Sequence, residues 1–457
     1  MLLALVWPAL WNGFPIVFFD TGGYLERPFQ ATLTMGRSAL YGAFLLIGVD
    51  HQFWPNIILQ AALVVWLVML TLRVHELGGR PWLATAIMAG LCTFTALPWY
   101  AAQLMPDILM AMFVLGTALL ARHADRLRRW EIVLLVAVNA TAIASHMSIL
   151  ALALGIVAFL LVLRAVPWPL PQAPANIRLP SIAVGCGMLL ALSSNLVIGG
   201  QFTFTPGGFN FVFSRLVQDG IVHRYLDDHC PDPTIRLCSH RADLPQTADD
   251  WLWGEESPIY TLGGLEEFEP EARRIVLESL ALYPALHVKT ALASTVKQFA
   301  AVATGDGLTP WNWGTQFAFM KFAPDALQGY VAGRQATSPF DFTWINYVHI
   351  PLQVLAIVAL PIIVVRRPQA RISALAALLF VALVGNAAIC GVLSNPHDRY
   401  QSRLAWLAAL VVAIEAVERA RQKQSFAARG EPIAAQPPAP TSTGPTAVEE
   451  DGLAVKP

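Results

Sequence analysis

Charge is what this chain has least of. Asp, Glu, Lys and Arg together supply 13% of its 457 residues, against about 25% in ordinary soluble domains. That scarcity excludes an ordinary cytosolic enzyme. The formal net charge of −1 leaves no basic excess for a phosphodiester backbone, so no nucleic-acid partner is expected. Cysteine is scarce as well, five in all, and Cys92, Cys186 and Cys390 lie within apolar runs. Walker A, HExxH, CxxC and GxSxG patterns are missing, which removes support for ATP-driven transport, zinc proteolysis and serine-hydrolase chemistry. No internal repeat stands out, which weakens an inverted-repeat transporter.

What the chain has is apolar length. Hydrophobic residues make up 56% of it, in blocks that approach the roughly 20 residues a helix needs to cross a bilayer. The candidate spans lie near 1–14, 54–72, 82–98, 106–121, 132–146, 147–163, 181–198, 350–365, 372–391 and 402–418. Lys and Arg crowd every second gap: Arg73 and Arg80; Arg122, Arg126, Arg128 and Arg129; Arg164 and Arg178; Arg366, Arg367 and Arg371; Arg419, Arg421 and Lys423. By the positive-inside rule those gaps and both termini are cytoplasmic. The expected fold is an all-α, multi-pass protein of the cell (inner) membrane with about ten transmembrane helices. One large, mainly helical extracytoplasmic domain falls between spans seven and eight.

Four regions follow: a transmembrane bundle with short outward loops (1–198), the extracytoplasmic domain (199–349), C-terminal transmembrane helices (350–418) and a cytoplasmic tail (419–457). From about 424 the tail is rich in Pro, Ala, Ser and Thr without helical periodicity, and reads as disordered. The first span, "MLLALVWPALWNGF", is short, contains Pro8 and has no basic residue before it, which predicts a true start upstream of Met1. Within the outward domain, Cys230 and Cys238 are close in sequence on the oxidising side and predict a disulfide, two free thiols being the alternative. The stretch 269–303 has helical spacing with a break or kink at Pro284, and predicts either a helix along the membrane surface or an ordinary packed one. The Trp-rich "DDWLWGEE" and "TPWNWGTQF" offer rings for stacking on sugar or for an interfacial aromatic belt.

Three outward segments carry chemistry. In "NPHDRYQSRLAW", residues 395–406, Asn395 as N-cap and Pro396 as first helical residue predict the start of the last span. Arg399 and Arg403, four apart, then share a face near a helix amino end, where phosphate or pyrophosphate is the natural guest and headgroup anchoring the plainer alternative. In "FFDTGGYLERPF", residues 18–29, Asp20 precedes two glycines that predict a sharp turn presenting a partly desolvated carboxylate as general base, or an Asx-turn that only caps the loop. In "QLMPDILMAM", Asp107 follows Pro106 at a helix start. Two carboxylates and two guanidiniums at one membrane level suggest acid/base work, or a divalent cation such as Mg or Mn, beside a bound phosphate. Asp398 and His397 join Asp107 as candidates for acceptor or metal binding, Tyr400 joins the phosphate group, and His146 lies at the same level.

These features together resemble the GT-C superfamily of polyprenyl-phosphate-dependent glycosyltransferases: an acidic first outward loop ("FFDTGGYL"), a "PD" pair in the second ("MPDILMAM"), a large outward domain and an "RY" near the start of the final span ("HDRYQSRLAW"). The resemblance implies that Asp20 is the base activating the acceptor hydroxyl. Asp107 would help hold metal or acceptor, and Arg399 or Arg403 would bind the lipid-linked phosphate. It also implies a polyprenyl-phosphate-linked sugar as donor, a lipid or glycan acceptor, and surrounding membrane lipids. Here a single Asp20 followed by Thr21 replaces an adjacent acidic pair, and no proline follows "RY". The competing classes are a polysaccharide polymerase or ligase and a transporter or flippase for an anionic lipid; the near absence of ionisable residues within the spans weighs against passage.

Overall fold

Proline and glycine set the helix ends. Leu2–Asn12 stops at Gly13, whose φ of 87° is a left-handed cap that a side chain would strain, and proline opens both Pro81–Phe94 and Pro284–Ala300. The computed structural model describes residues 1–165 and 176–428, and among them the chain is helical, with short connections and no β-strand.

Six helices have the length and apolarity to cross a membrane: Trp54–Val74, Met147–Ala165, Arg178–Gly199, Thr343–Arg366, Arg371–Leu393 and Asp398–Ser425. A seventh crossing is available if Gly264–Leu282 and Pro284–Ala300, bent by 104°, act as one broken span. Four of the ten expected spans are shorter. Leu2–Asn12 has 11 residues, Pro81–Phe94 has 14, Asp107–Arg122 has 16 and Arg129–Ser145 has 17. For the first two the apolar runs, 1–14 and 82–98, overstate helix length because they include residues that leave the helix. In 82–98, Thr95 turns to an extended conformation and a separate short helix, Leu97–Ala101, follows.

Asp107–Arg122 is buried from Asp107 through Ala121 and forms the centre of the bundle. A helix apolar on all sides can sit only where neighbours surround it. The basic gaps meet at one end of the bundle: Arg73 pairs with Glu131 at 2.6 Å, and Glu76 takes Arg126 at 3.2 Å and Arg371 at 2.6 Å. Asp107, Met147 and Leu393 lie at the other ends of their helices.

Between 199 and 349, Gly208–Gln218, Ile221–His229, Ala248–Trp253 and Gly264–Leu282 enclose a core that includes Phe213, Tyr225, Trp251 and Phe268. Cys230 and Cys238 are disulfide-bonded at its edge, with Cα atoms 5.7 Å apart. Pro284–Ala300 leaves that core and packs on Arg371–Leu393, with the Phe299 and Phe380 rings 6.2 Å apart. Of the two expectations for this stretch, the packed helix describes that contact: Ser294 and Gln298 are buried while Val288, Leu292 and Val296 are exposed. Residues Met1–Ile414 form one compact unit. In the second unit, from Glu415, the helix begun at Asp398 continues to Ala428, so 424–428 are helical where an irregular tail was expected; the rest of that expectation, 429–457, lies outside the described residues.

Candidate functional site

The segment of residues 18–29 is a helix rather than the expected glycine turn. Phe19–Gln30 runs through Gly22 and Gly23, with Asp20 in its first turn, where the amino-end dipole favours a carboxylate. Thr21 fixes that end by accepting from the Phe18 amide at 2.9 Å and donating to the Leu104 carbonyl at 3.0 Å. The glycines serve close approach instead of bending. A Cβ on Gly22 would stand 2.8 Å from Thr315 Cα, and one on Gly23 would stand 3.2 Å from Arg37 Nε.

Asp20 Oδ1 pairs with Arg37 Nη2, and Asp20 Oδ2 lies 3.7 Å from Arg399 Nη2. Burial would raise the Asp20 carboxyl, but the Arg37 and Arg399 charges outweigh it and hold the group below its ordinary range. Nearby His146 is pushed down to about 4 by burial, hence neutral; its Nδ1 lies 2.8 Å from Ser148 Oγ.

The last helix begins at Asp398, not at the expected Asn395–Pro396 cap, because the residues before it have other partners. Asn395 donates to Asp249 Oδ2 at 2.7 Å and accepts from Arg215 at 3.4 Å, and the His397 amide donates to Gln298 Oε1 at 2.9 Å. His397 itself stands between two carboxylates, Nε2 at 3.2 Å from Asp249 Oδ2 and Nδ1 at 3.4 Å from Asp306 Oδ2. Those carboxylates raise the imidazole to about 10, so it is cationic at neutral pH. Asp398 accepts from the Ala303 amide at 2.7 Å.

Arg399 and Arg403 share a helix face but divide in role. Arg403 is fully buried and donates to Asp107 at 3.0 Å, Ser148 at 3.0 Å and Asn386 at 3.3 Å. Arg399 lies above the Phe18 ring at 4.1 Å, donates to Tyr400 Oη at 3.1 Å and keeps a buried Nη1 without a partner.

Above that layer is a cavity of about 590 Å³. Asp20, Arg37, Asp249, Asp306, His397 and Arg399 make its charged wall, and Tyr400 joins them. Met147, Ala151, Ile389 and Leu393, from two of the membrane-length helices, make its apolar wall. Asp107, Arg403 and Asp398 do not line it. Each Trp pair divides: Trp253 and Trp311 line the cavity, Trp251 is buried in the core with Phe213 and Phe268, and Trp313 is 85% exposed. The sequence admits a divalent cation beside the phosphate. Among the described residues no three His, Cys, Asp or Glu side chains are grouped to hold one, and the site carboxylates already face Arg37, Arg399, Arg403 or His397.

Sequence reasoning missed Arg37, Asp249 and Asp306. Arg37 left a signal, a basic residue in a gap that the charge alternation places outside. Asp306 left a weaker one, a carboxylate between two glycines in "TGDGLT". Comparison with protein-family models, curated proteins and solved structures gives no match to this chain.

Proposed function

We propose that this protein is an integral membrane glycosyltransferase that moves a sugar from a polyprenyl-phosphate donor to a lipid or glycan acceptor at the outer face of the membrane. The observation that carries this reading is the change of lining within one cavity, from Met147, Ala151, Ile389 and Leu393 to Asp20, Arg37, His397 and Arg399. An amphiphile with an anionic head fits such a wall: its chain stays against membrane helices while its phosphate meets guanidinium. Arg399, with a buried donor still unmatched, is the group for that phosphate. Arg403 is committed to Asp107 beneath it and positions the helix instead.

In this scheme an acceptor oxygen attacks the anomeric carbon and passes its proton to Asp20. The bond from that carbon to the phosphate oxygen breaks, and its electron pair leaves with the lipid phosphate beside Arg399. Trp311, braced by Phe18 and Phe19 with ring centres at 5.6 and 5.4 Å, offers a wall for the sugar. The outward assignment is supported by the cluster of Arg73, Arg126 and Arg371 at the opposite end of the bundle.

The test is turnover of a panel of radiolabelled polyprenyl-phosphate sugars by detergent-solubilised protein, with Asp20→Asn alongside. Transfer or slow hydrolysis that vanishes in the variant supports the reading. Binding without turnover by the wild type would favour a transporter or flippase of an anionic lipid.

A further inference from the structure

Two guanidiniums hold Asp20, and they hold it differently. Arg37 is fixed: besides its pair with Asp20, its Nη1 donates to the Met35 carbonyl at 3.1 Å, and its guanidinium lies 5.2 Å from the Trp253 ring centre. Arg399 is held by Tyr400 Oη at 3.1 Å and the Phe18 ring at 4.1 Å, while its grip on Asp20 itself is weaker. Its Nη2 stands 3.7 Å from Asp20 Oδ2, too far for a hydrogen bond, and its Nη1 is buried without an acceptor. Both arginines line the cavity. The side chain that helps neutralise the carboxylate thus stands in the cavity wall with one donor unmatched.

We propose that Asp20 and the donor phosphate compete for Arg399, so that Asp20 is freed to take the acceptor's proton only once the phosphate is in place, while Arg37 remains as its positioning residue. This rests on the glycosyltransferase reading and adds an order to it, donor first and acceptor activation second. Between Arg37 and Arg399 the carboxylate stays ionised and is a weak base. A phosphate drawn onto Arg399 removes one cation from Asp20 and brings an anion near it, and both changes make the carboxylate more basic. The proton then passes from the acceptor hydroxyl to Asp20 while the electron pair of the breaking bond goes to the phosphate.

The other titratable groups facing Asp20 do not supply this switch. His146, from the turn before Met147–Ala165, is neutral because burial pushes it down to about 4. Tyr24, on the same helix, is pushed up by burial and stays protonated. Glu26 and Arg27, farther along, pair with each other at 2.8 Å.

The test reads the protonation of Asp20 without needing turnover. Full-length protein in detergent is treated with a carbodiimide, which modifies protonated carboxyls, and the Asp20 peptide is followed by mass spectrometry from about pH 4 to pH 8. The lipid probe is a polyprenyl phosphate, its binding followed by a retained radiolabel. Bound lipid is expected to move the modification midpoint up by about one pH unit or more, a tenfold change in protonated fraction. Arg399→Gln is expected to show the raised midpoint without lipid and no further shift with it. Arg37→Gln should still respond to lipid, because the contested group is present. Bound lipid with an unmoved midpoint would overturn the competition and leave the glycosyltransferase reading standing. No binding of the lipid phosphate by the wild type would sink both.

Discussion

Arg403 Nη1 lies 3.0 Å from Asp107 Oδ1, with the arginine side chain fully buried and the aspartate 4% exposed. This pair ties the start of the last helix to the start of the central one. Breaking a buried pair from one side strands the other charge, at a cost of about 3–5 kcal/mol. Arg403→Met, like Asp107→Asn, is therefore expected to lower the melting temperature sharply. An Asp107→Asn/Arg403→Met double variant should recover much of the loss, and additive losses in the four melting curves would rule out a coupled pair.

Arg399 should behave in the opposite way. Its carboxylate contact is long at 3.7 Å, and Asp20 keeps Arg37 when Arg399 is removed, so its loss strands no buried carboxylate. Arg399→Ala is expected to keep its melting temperature within a few degrees while weakening binding of a polyprenyl phosphate about 10- to 100-fold, the worth of charged hydrogen bonds. Equilibrium binding with radiolabelled lipid, run beside the melt, separates the two arginines. Equal binding by wild type and variant would remove Arg399 from the phosphate site.

The sequence shows the class of this fold more readily than its helix ends. Composition alone points to membrane helices, because apolar length is a local property, but the limits of each helix depend on Thr95 and on the partners of Asn395, which are tertiary. The same division runs through the site. Asp20, His397, Arg399 and Tyr400 belong to short, charge-dense segments that interrupt apolar runs, and all four line the cavity. Arg37, Asp249 and Asp306 arrive from segments separated in sequence by many residues, and only folding brings Asp249 and Asp306 to the two sides of His397. Proximity in sequence grouped Arg399 with Arg403; burial separates them.

His397 gives a pH dependence whose sign can be worked out. Its folded pKa, raised to about 10 by Asp249 and Asp306, lies above the unfolded value of about 6.5. The stabilisation is then fully present below about pH 6.5 and is lost as pH rises toward 10. His397→Gln should melt below the wild type at pH 6, and the gap between them should narrow steadily at higher pH. A gap that stays constant from pH 6 to pH 10 would mean that the imidazole is not held as a cation.

Gly22 and Gly23 are neighbours in one helix, yet substitution should separate them. A Cβ at Gly22 would lie 2.8 Å from Thr315 Cα and 2.9 Å from the Gly314 carbonyl oxygen, and neither is the end of a flexible side chain. Thr315 is also pinned from the other direction, donating to the Phe18 carbonyl at 2.7 Å while it accepts from the Gly22 amide at 3.2 Å. The helix Thr315–Phe322 must then move away from Phe19–Gln30, and overpacking of this kind costs about 1–3 kcal/mol. Because Trp311 precedes that helix and lines the cavity, Gly22→Ala is expected to lose both melting temperature and sugar transfer. At Gly23 the nearest atoms belong to the Arg37 side chain, the closest being Nε at 3.2 Å, and a side chain can yield by tenths of an ångström. Gly23→Ala should melt close to the wild type and show its effect where Arg37 acts, as a shifted carbodiimide midpoint at Asp20. Equal melting losses in the two variants would place the constraint on helix backbone in general and not on the approach of Thr315.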